Sequence, residues 1–128
     1  PAPASMHSHV MSTGAFLIGI RTLGLPIFTA TSGTVAGPTW GLMLMGDYRI
    51  ISADATFVTP ILRPVECLFQ LVGQGPATHL TMGAGTVNAS ALLEMGVCHQ
   101  LQQDRETTSK AAAEQAKRIA CWPALAAR

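Results

Sequence analysis

The uncharged stretch between Arg21 and Asp47 is the feature that most limits how this chain can fold. A membrane-spanning helix needs an unbroken apolar segment of about 20 residues. Here Pro26, Pro38 and several glycines interrupt the apolar residues, and Ser and Thr are scattered among them. These interruptions argue against one continuous helix. We therefore predict a buried strand, a turn and a buried helix, and no membrane span.

Turn and cap signals divide the rest of the chain into short segments. Gly24 and Pro26 end a first apolar helix. Asn88 is a favourable N-cap, and Gly96 fits the position just past a helix end. Because strands alternate with helices, we predict an α/β fold with parallel strand pairing. The predicted helices lie at 11–23, 39–46, 66–72, 75–83, 89–95 and from 104 onward. The predicted strands lie at 26–30, 48–51 and 56–58, with a short strand or extended link at 97–101.

The composition fits one small domain whose surface is partly covered by other protein. Hydrophobic residues make up 48% of the chain and charged residues 12%. That is too apolar for a disordered chain and too sparsely charged for a typical free monomer. We therefore expect part of the surface to be buried in a partner or a homo-oligomer. The expected core is 11–121, with a flexible lead-in at 1–10 and a tail at 122–128.

Charge and cysteine patterns exclude several classes of function. The net charge is +1 and the basic residues are scattered, so we expect no nucleic-acid partner. Cys67, Cys98 and Cys121 match no metal or redox spacing, which indicates reduced thiols in the cytoplasm or in a reducing organelle lumen. No targeting signal is visible in the first residues. Because the sequence begins at Pro1, we expect a processed product or a fragment.

Four short motifs stand in a fixed order along the chain. They are Ser32-Gly33 with Gly37, DYRIISADATF at 47–57, LVG at 71–73 and ASALLEMGV at 89–97. Together they resemble the crotonase superfamily, which is the enoyl-CoA hydratase/isomerase family. The resemblance extends over about residues 14–120.

The resemblance implies a fold, a substrate class and an assembly. It predicts a truncated crotonase-like (ClpP/crotonase) ββα spiral with surrounding helices, in which mostly the N-terminal half of the family's domain is missing. The implied small-molecule substrate is an acyl thioester, either acyl-CoA or an acyl-carrier thioester, and no cofactor or metal is expected. Family members usually form trimers, so a homotrimer is favoured. Some members are decarboxylases of polyketide biosynthesis, which are lyases.

The glycine turn is the implied oxyanion site. The family stabilises an enolate oxyanion with two backbone N–H groups, one of them from the middle of this turn at a helix start. The match places Pro38 at that position, and proline has no N–H. Thr39 comes next and can donate if the turn shifts by one residue. The alternative is that Pro38 is simply a favoured first-turn residue of the helix.

The two glutamates that act as acid and base in the family's hydratases are missing here. Gly41 and Ile61 stand at the matching positions, so we do not expect hydration by the two-glutamate route. Other family members act as decarboxylases or dehalogenases with one glutamate or none. The expected substrate-binding residues are Gly37, Pro38, Trp40, Gly41 and Ile61, and the alternative for Trp40 is a subunit contact.

Two other side chains are candidates for proton transfer. Glu66 follows a loop that is shorter than in the family and could reach the pocket, or it is a solvated residue at a helix start. His79 is a candidate base, or a partly buried helix residue. His7 and His9 form a His-x-His pair in a Pro- and Ser-rich terminus, where we expect no metal site.

Two functions follow from these observations. The first is a crotonase-like protein that binds or acts on an acyl thioester and stabilises an enolate oxyanion. The alternative is a catalytically degenerate crotonase-fold scaffold that oligomerises or pairs with the missing half. Low charge favours the scaffold, and the family motifs favour the acyl-thioester protein.

Overall fold

Short strands and helices alternate along the described residues, which are 18–20, 22–58, 65–83 and 85–122 of a computed structural model. The predicted lead-in at 1–10 and most of the predicted tail at 122–128 lie outside them. The elements in chain order are β1 (Phe28–Thr31), β2 (Thr34–Val35), α1 (Thr39–Leu44), β3 (Tyr48–Ser52), β4 (Thr56–Val58), α2 (Val65–Val72), α3 (Gln74–Thr78), a π-helical turn (His79–Gly83), β5 (Thr86–Asn88), α4 (Ala89–Met95), β6 (Gln100–Gln102) and α5 (Arg105–Ala120).

A parallel sheet in the order β1-β3-β6 forms the centre of the fold. Ala30 and Gln100 are the register partners of Ile50 on its two sides. Ile50 and Ile51 are both fully buried. Since neighbouring strand residues face opposite sides of a sheet, both faces of β3 are covered, as is usual for parallel sheets. The predicted α/β class and parallel pairing are confirmed for this sheet.

A second, smaller sheet has the order β2-β4-β5. β2 pairs with β4 in parallel, whereas β5 pairs with β4 antiparallel. Neither β2 nor β5 was predicted. Two and three residues are too few to show an alternating pattern, and both strands exist because β4 lies beside them.

The hydrophobic core lies between the two sheets and the helices that follow them. Ile51 from the central sheet and Phe57 from the small sheet meet Trp40 of α1 there. Leu68 of α2 and Leu92 of α4 complete the cluster, and all five are fully buried. Burial of such a side chain contributes about 1.5–3 kcal/mol to stability. On the central sheet, α5 packs across β1, β3 and β6.

Most predicted helix ends are confirmed. The Asn88 side chain accepts a hydrogen bond from the Ala91 N–H at 2.9 Å, and Gly96 closes α4 with φ 85°. The helix predicted at 39–46 is two residues shorter, because the chain turns at Met45 and Gly46. A Cβ at Gly46 would lie 2.6 Å from the Thr29 side chain, so only glycine permits this approach.

The strand predicted at 26–30 needs a correction. It begins at Phe28 and ends at Thr31, and it is half-buried with Ala30 exposed, rather than buried. The reason is its position, because β1 is the end strand of the central sheet. Likewise, the strand predicted at 97–101 is Gln100–Gln102.

Candidate functional site

The glycine turn predicted at the start of α1 connects β2 to that helix. Gly33 (φ 75°) and Gly37 (φ 55°) both have the left-handed backbone that favours glycine. The Gly33 carbonyl accepts a hydrogen bond from the Thr56 N–H at 3.0 Å, which fixes the turn to the small sheet. The conformation of the turn is therefore fixed by its contact with the small sheet.

Thr39 is the candidate hydrogen-bond donor at the surface of the first turn of α1. Pro38 is the N-cap residue and has no N–H to offer. The Thr39 N–H donates to the Ala36 carbonyl at 3.3 Å, a long hydrogen bond, and the Trp40 N–H donates to the Gly37 carbonyl at 3.2 Å. Thr39 is exposed, and among the described residues its hydroxyl has no hydrogen-bond partner.

Trp40 and Gly41, both predicted to bind substrate, are buried. The Trp40 indole N–H donates to the Val58 carbonyl at 2.6 Å, and its ring packs edge-on against Phe57 with centroids 5.6 Å apart. Trp40 has no exposed surface with which to line a pocket or contact a second subunit. Gly41 carries no side chain that could transfer a proton.

An open groove of about 610 Å³ runs along β1. Its floor is the outer edge of β1 from Thr29 to Thr31, one wall is α1 with Leu42, and the other wall is the start of α5 with Arg105. Thr39 lines the groove near Ser32, just past the carboxyl end of β1. In open α/β sheets, ligands bind at this end of the strands. We call this the β1 groove.

The candidate base His79 does not line the β1 groove, because it is exposed in the π-helical turn. The side chain of Glu66, all of Ile61, and the pair His7 and His9 lie outside what the structure describes. Within the described part of the chain, no Asp, Glu or His lines the β1 groove.

Sequence reasoning missed the contribution of α5 to this groove. Arg105, Thr108 and Ser109 line it, although they lie far along the chain from Thr39. The signal was a helix beginning at Asp104, directly after the last strand of a parallel sheet. Such a helix returns over the sheet with its N-terminus at the carboxyl ends of the strands.

The polar residues around β3 are structural. An Asp47 carboxylate oxygen accepts a hydrogen bond from the Ile27 N–H at 2.8 Å. Arg49 is buried and donates to the Val97 and Gly46 carbonyls at 2.5 and 2.6 Å. Asp47 and Arg49 therefore have structural roles.

His99 stands beside Arg49 just before β6. Its ring stacks on Tyr48 with centroids 4.6 Å apart, and its Nδ1 accepts the Arg49 N–H at 3.0 Å. Burial lowers the pKa of His99, and the positive charge of Arg49 lowers it further. Because Nδ1 is an acceptor here, the neutral ring carries its proton on Nε2.

Among the described residues, no helix is long and apolar enough to cross a membrane. Nor does any cluster of three or more His, Cys, Asp or Glu residues among them fit a metal ion.

Solved structures resemble this fold, whereas no protein-family model and no curated protein matches the chain. An enoyl-CoA hydratase from Bacillus anthracis matches with a TM-score of 0.88 and 21% identity over 99% of this chain and 52% of its own. A Streptomyces coelicolor A3(2) protein assigned as an enoyl-CoA hydratase matches with a TM-score of 0.83 and 27% identity over 99% and 49%. A Mycobacterium abscessus protein assigned as an enoyl-CoA hydratase/isomerase matches with a TM-score of 0.87 and 25% identity over 98% and 51%.

These matches confirm the resemblance seen in the motifs. The chain spans about half the length of each of these structures, while nearly all of its own residues are matched. The described part of the chain therefore has the crotonase fold of these enoyl-CoA hydratase/isomerase structures, over about half of their length.

Proposed function

We propose that this protein binds an acyl thioester, on CoA or on an acyl carrier, at the Thr39 end of the β1 groove and stabilises the enolate oxyanion of that thioester. The observation that carries the proposal is the place of Thr39. It is the first residue after Pro38 with an N–H, it is exposed, and it lines the groove beside the carboxyl end of β1. The crotonase fold supports the substrate class.

Thr39 has two groups that suit a developing negative charge. Its hydroxyl has no partner among the described residues, and its N–H is held only by a 3.3 Å bond to Ala36. An oxyanion accepts stronger hydrogen bonds than a neutral carbonyl oxygen does. A thioester enolate can therefore compete with Ala36 for this N–H. Donors positioned in this way stabilise the transition state rather than the ground state.

Decarboxylation is the reaction that requires the fewest catalytic side chains at this site. When a carboxylate-bearing acyl thioester loses CO₂, the electron pair of the broken C–C bond moves onto the thioester oxygen, and water later protonates the enolate carbon. No protein acid or base is needed before the enolate forms. Hydration by two carboxylates is not expected, because buried Gly41 has no side chain and no carboxylate among the described residues lines the groove.

The enolate form of acetoacetyl-CoA is the most direct probe of this proposal. An oxyanion site favours the enolate, so adding the protein should raise the ultraviolet absorbance of the enolate at constant pH. Thr39→Pro removes the N–H at the first residue of α1, and Thr39→Val removes the hydroxyl while keeping the shape. We expect Thr39→Pro to abolish the signal and Thr39→Val to reduce it.

Thr34→Val is the matched control, because Thr34 is exposed in β2 and does not line the groove. It should leave the enolate signal unchanged. In decarboxylation assays of a malonyl thioester, loss of an oxyanion donor typically lowers the rate about 10²- to 10³-fold. An enolate absorbance that stays flat at high protein concentration, or that survives Thr39→Pro, contradicts the proposal.

A non-catalytic scaffold is the second candidate, and the exposed apolar side chains favour it. Ile18, Leu23 and Leu25 are each more than 60% exposed. Apolar side chains in this number are more typical of an interface than of a free surface. Sedimentation velocity tests this candidate, for which we expect an oligomer, with a homotrimer favoured. A stable monomer at all concentrations rules out self-assembly as the function.

A further inference from the structure

A second groove lies at the other end of the central sheet, between β6 and α5. β6 is the end strand opposite β1, so among the described elements it has β3 on one side and no strand on the other. The groove has a volume of about 310 Å³, and its lining includes Gln100, Gln102, Thr107, Lys110, Glu114 and Arg118. We call it the β6 groove. No described residue lines both this groove and the β1 groove, so the two lie on different sides of α5.

Charged side chains of α5 alternate in sign along the helix. Glu106, Lys110, Glu114 and Arg118 follow one another at a spacing of four residues, and all of them are exposed. Residues at this spacing are neighbours along one helix face. Lys110 forms an ion pair with Glu106 at 3.1 Å, whereas Glu114 and Arg118 form none with another described residue. Their charges are therefore available to a partner.

This order of charges is complementary to itself when the helix is reversed. Two α5 helices that run antiparallel about Ala112 place Lys110 opposite the partner's Glu114, and Glu106 opposite the partner's Arg118. A parallel arrangement in register would instead bring like charges together. Opposite charges that meet across an interface set its register and exclude wrong arrangements. The pattern therefore fits a second copy of this chain, related to the first by a two-fold axis.

β6 is also complementary to itself. Its sequence, Gln100-Leu101-Gln102, reads the same in both directions and contains neither a charged residue nor a proline that would block an added strand. The His99 N–H donates to the Arg49 carbonyl of β3 at 2.9 Å. Because successive backbone groups of a strand point to opposite edges, the Gln100 and Gln102 N–H groups face away from β3. In an antiparallel pair about Leu101, each Gln102 N–H reaches the partner's Gln100 carbonyl.

We propose that the β6 groove is a self-association surface, at which two copies of this chain form a two-fold dimer through β6 and α5. The strand pair joins the two central sheets, and the charged side chains of the two α5 helices meet beside it. Because the strand and the helix line the same groove, one two-fold axis across it relates both pairs. Exposed ion pairs contribute little affinity each, so the backbone hydrogen bonds hold the dimer and the charges select its partner and register.

This inference does not rest on the proposed thioester binding, because Thr39 lines the β1 groove and not the β6 groove. A failure of the enolate test therefore leaves the dimer untouched, and a failure of the dimer leaves the enolate test valid. The dimer also differs from an oligomer built on the exposed apolar side chains, because only the dimer depends on the sign of the charges at 110 and 114.

Sedimentation equilibrium of charge-reversal variants tests the dimer. The wild type should show a reversible monomer–dimer equilibrium that weakens as NaCl is added, because salt screens exposed charges. Lys110→Glu places a carboxylate against the partner's Glu114, and Glu114→Lys places two ammonium groups together. Each change should raise the dissociation constant at least about tenfold. Arg105→Glu is the matched control, because it makes the same charge change on α5 outside the β6 groove and should leave the dissociation constant unchanged.

Mixing the two variants separates a specific interface from a general loss of stability. A Lys110→Glu copy and a Glu114→Lys copy present opposite charges to each other at both positions, so the mixture should form a heterodimer about as tightly as the wild type associates. The double variant with both changes should likewise regain self-association. Circular dichroism and thermal unfolding show whether each variant is folded.

Hydrogen exchange locates the contact. The amides of Gln100 and Gln102 should exchange more slowly as the protein concentration rises through the dissociation constant, whereas amides of the central strand β3 should not change. In Lys110→Glu the same amides should stay fast at concentrations at which the wild type is dimeric.

Any of the following results would overturn the inference. They are a monomer at every concentration, an effect of Arg105→Glu as large as that of Lys110→Glu, no association in the mixture of folded variants, and protection of the Gln100 and Gln102 amides that does not depend on protein concentration. The last result would show that other residues of the same chain cover this edge. An oligomer that Lys110→Glu leaves unchanged would assign self-assembly to another surface.

Discussion

At the scale of single residues, the contacts around Arg49 join the central strand to the segment before β6. Its guanidinium donates hydrogen bonds to the Val97 and Gly46 carbonyls, and its backbone N–H donates to Nδ1 of His99. The buried side chain of Arg49 therefore has a structural role. The acceptor role of His99 was not foreseen, because the two residues lie fifty positions apart and no local pattern connects them.

His99 makes stability depend on pH in a defined direction. Its folded pKa lies below the ordinary value of 6.5, so the unfolded chain binds the proton more readily. Stability from this group is therefore complete above pH 6.5 and is lost as the pH falls from there through the folded pKa. Urea unfolding measured across this window should show the decline in the wild type.

His99→Asn is the control for this prediction, because asparagine can accept the Arg49 N–H and does not titrate. The difference in unfolding free energy between the wild type and this variant should shrink or reverse as the pH is lowered below 6.5. Parallel pH profiles for the two proteins would contradict the role given to His99.

At the scale of elements, the ends of α4 depend on signals that lie within the helix itself. Asn88 caps the first turn and Gly96 closes the last. Both were predicted, since capping involves residues only a few positions apart. By contrast, the short strands β2 and β5 were missed, because their pairing partners are the only reason that they form.

Removing the α4 cap should destabilise the protein without changing the groove. Asn88→Ala leaves the Ala91 N–H without its acceptor, and caps of this kind contribute about 1 kcal/mol. Asn88→Asp keeps an acceptor oxygen and serves as the matched control. Thermal or urea unfolding should therefore rank Asn88→Ala below both the wild type and Asn88→Asp. Equal stability of all three would mean that the cap contributes nothing.

At the scale of the whole molecule, the question is whether a chain that spans about half the length of the matched structures has a closed core. Cys98 reports on this, since its side chain is 3% exposed within the core cluster and burial raises its pKa to about 11. Cys121 is exposed just after α5. Only the thiolate reacts rapidly, so the two thiols should behave differently as long as the core is closed.

Alkylation followed by peptide mapping measures this difference. Iodoacetamide should modify Cys121 in the native protein, whereas Cys98 should react only as urea unfolds the chain. Reaction in full denaturant is the control that both sites can be modified. Equal rates in native buffer would mean that the core opens readily.

The sequence by itself determined the features that depend on neighbouring residues: the glycine turn before Thr39, the loss of an N–H at Pro38, the caps of α4 and the motifs that indicate the crotonase fold. Only the tertiary structure decided that Trp40 is fully buried, that β1 is the end strand of the central sheet among the described elements, and that Arg105 faces Leu42 across a groove. The physical reason is the separation along the sequence of the residues that interact. Turns and caps form between residues a few positions apart, whereas burial, edges and grooves depend on segments that meet only when the sheet assembles.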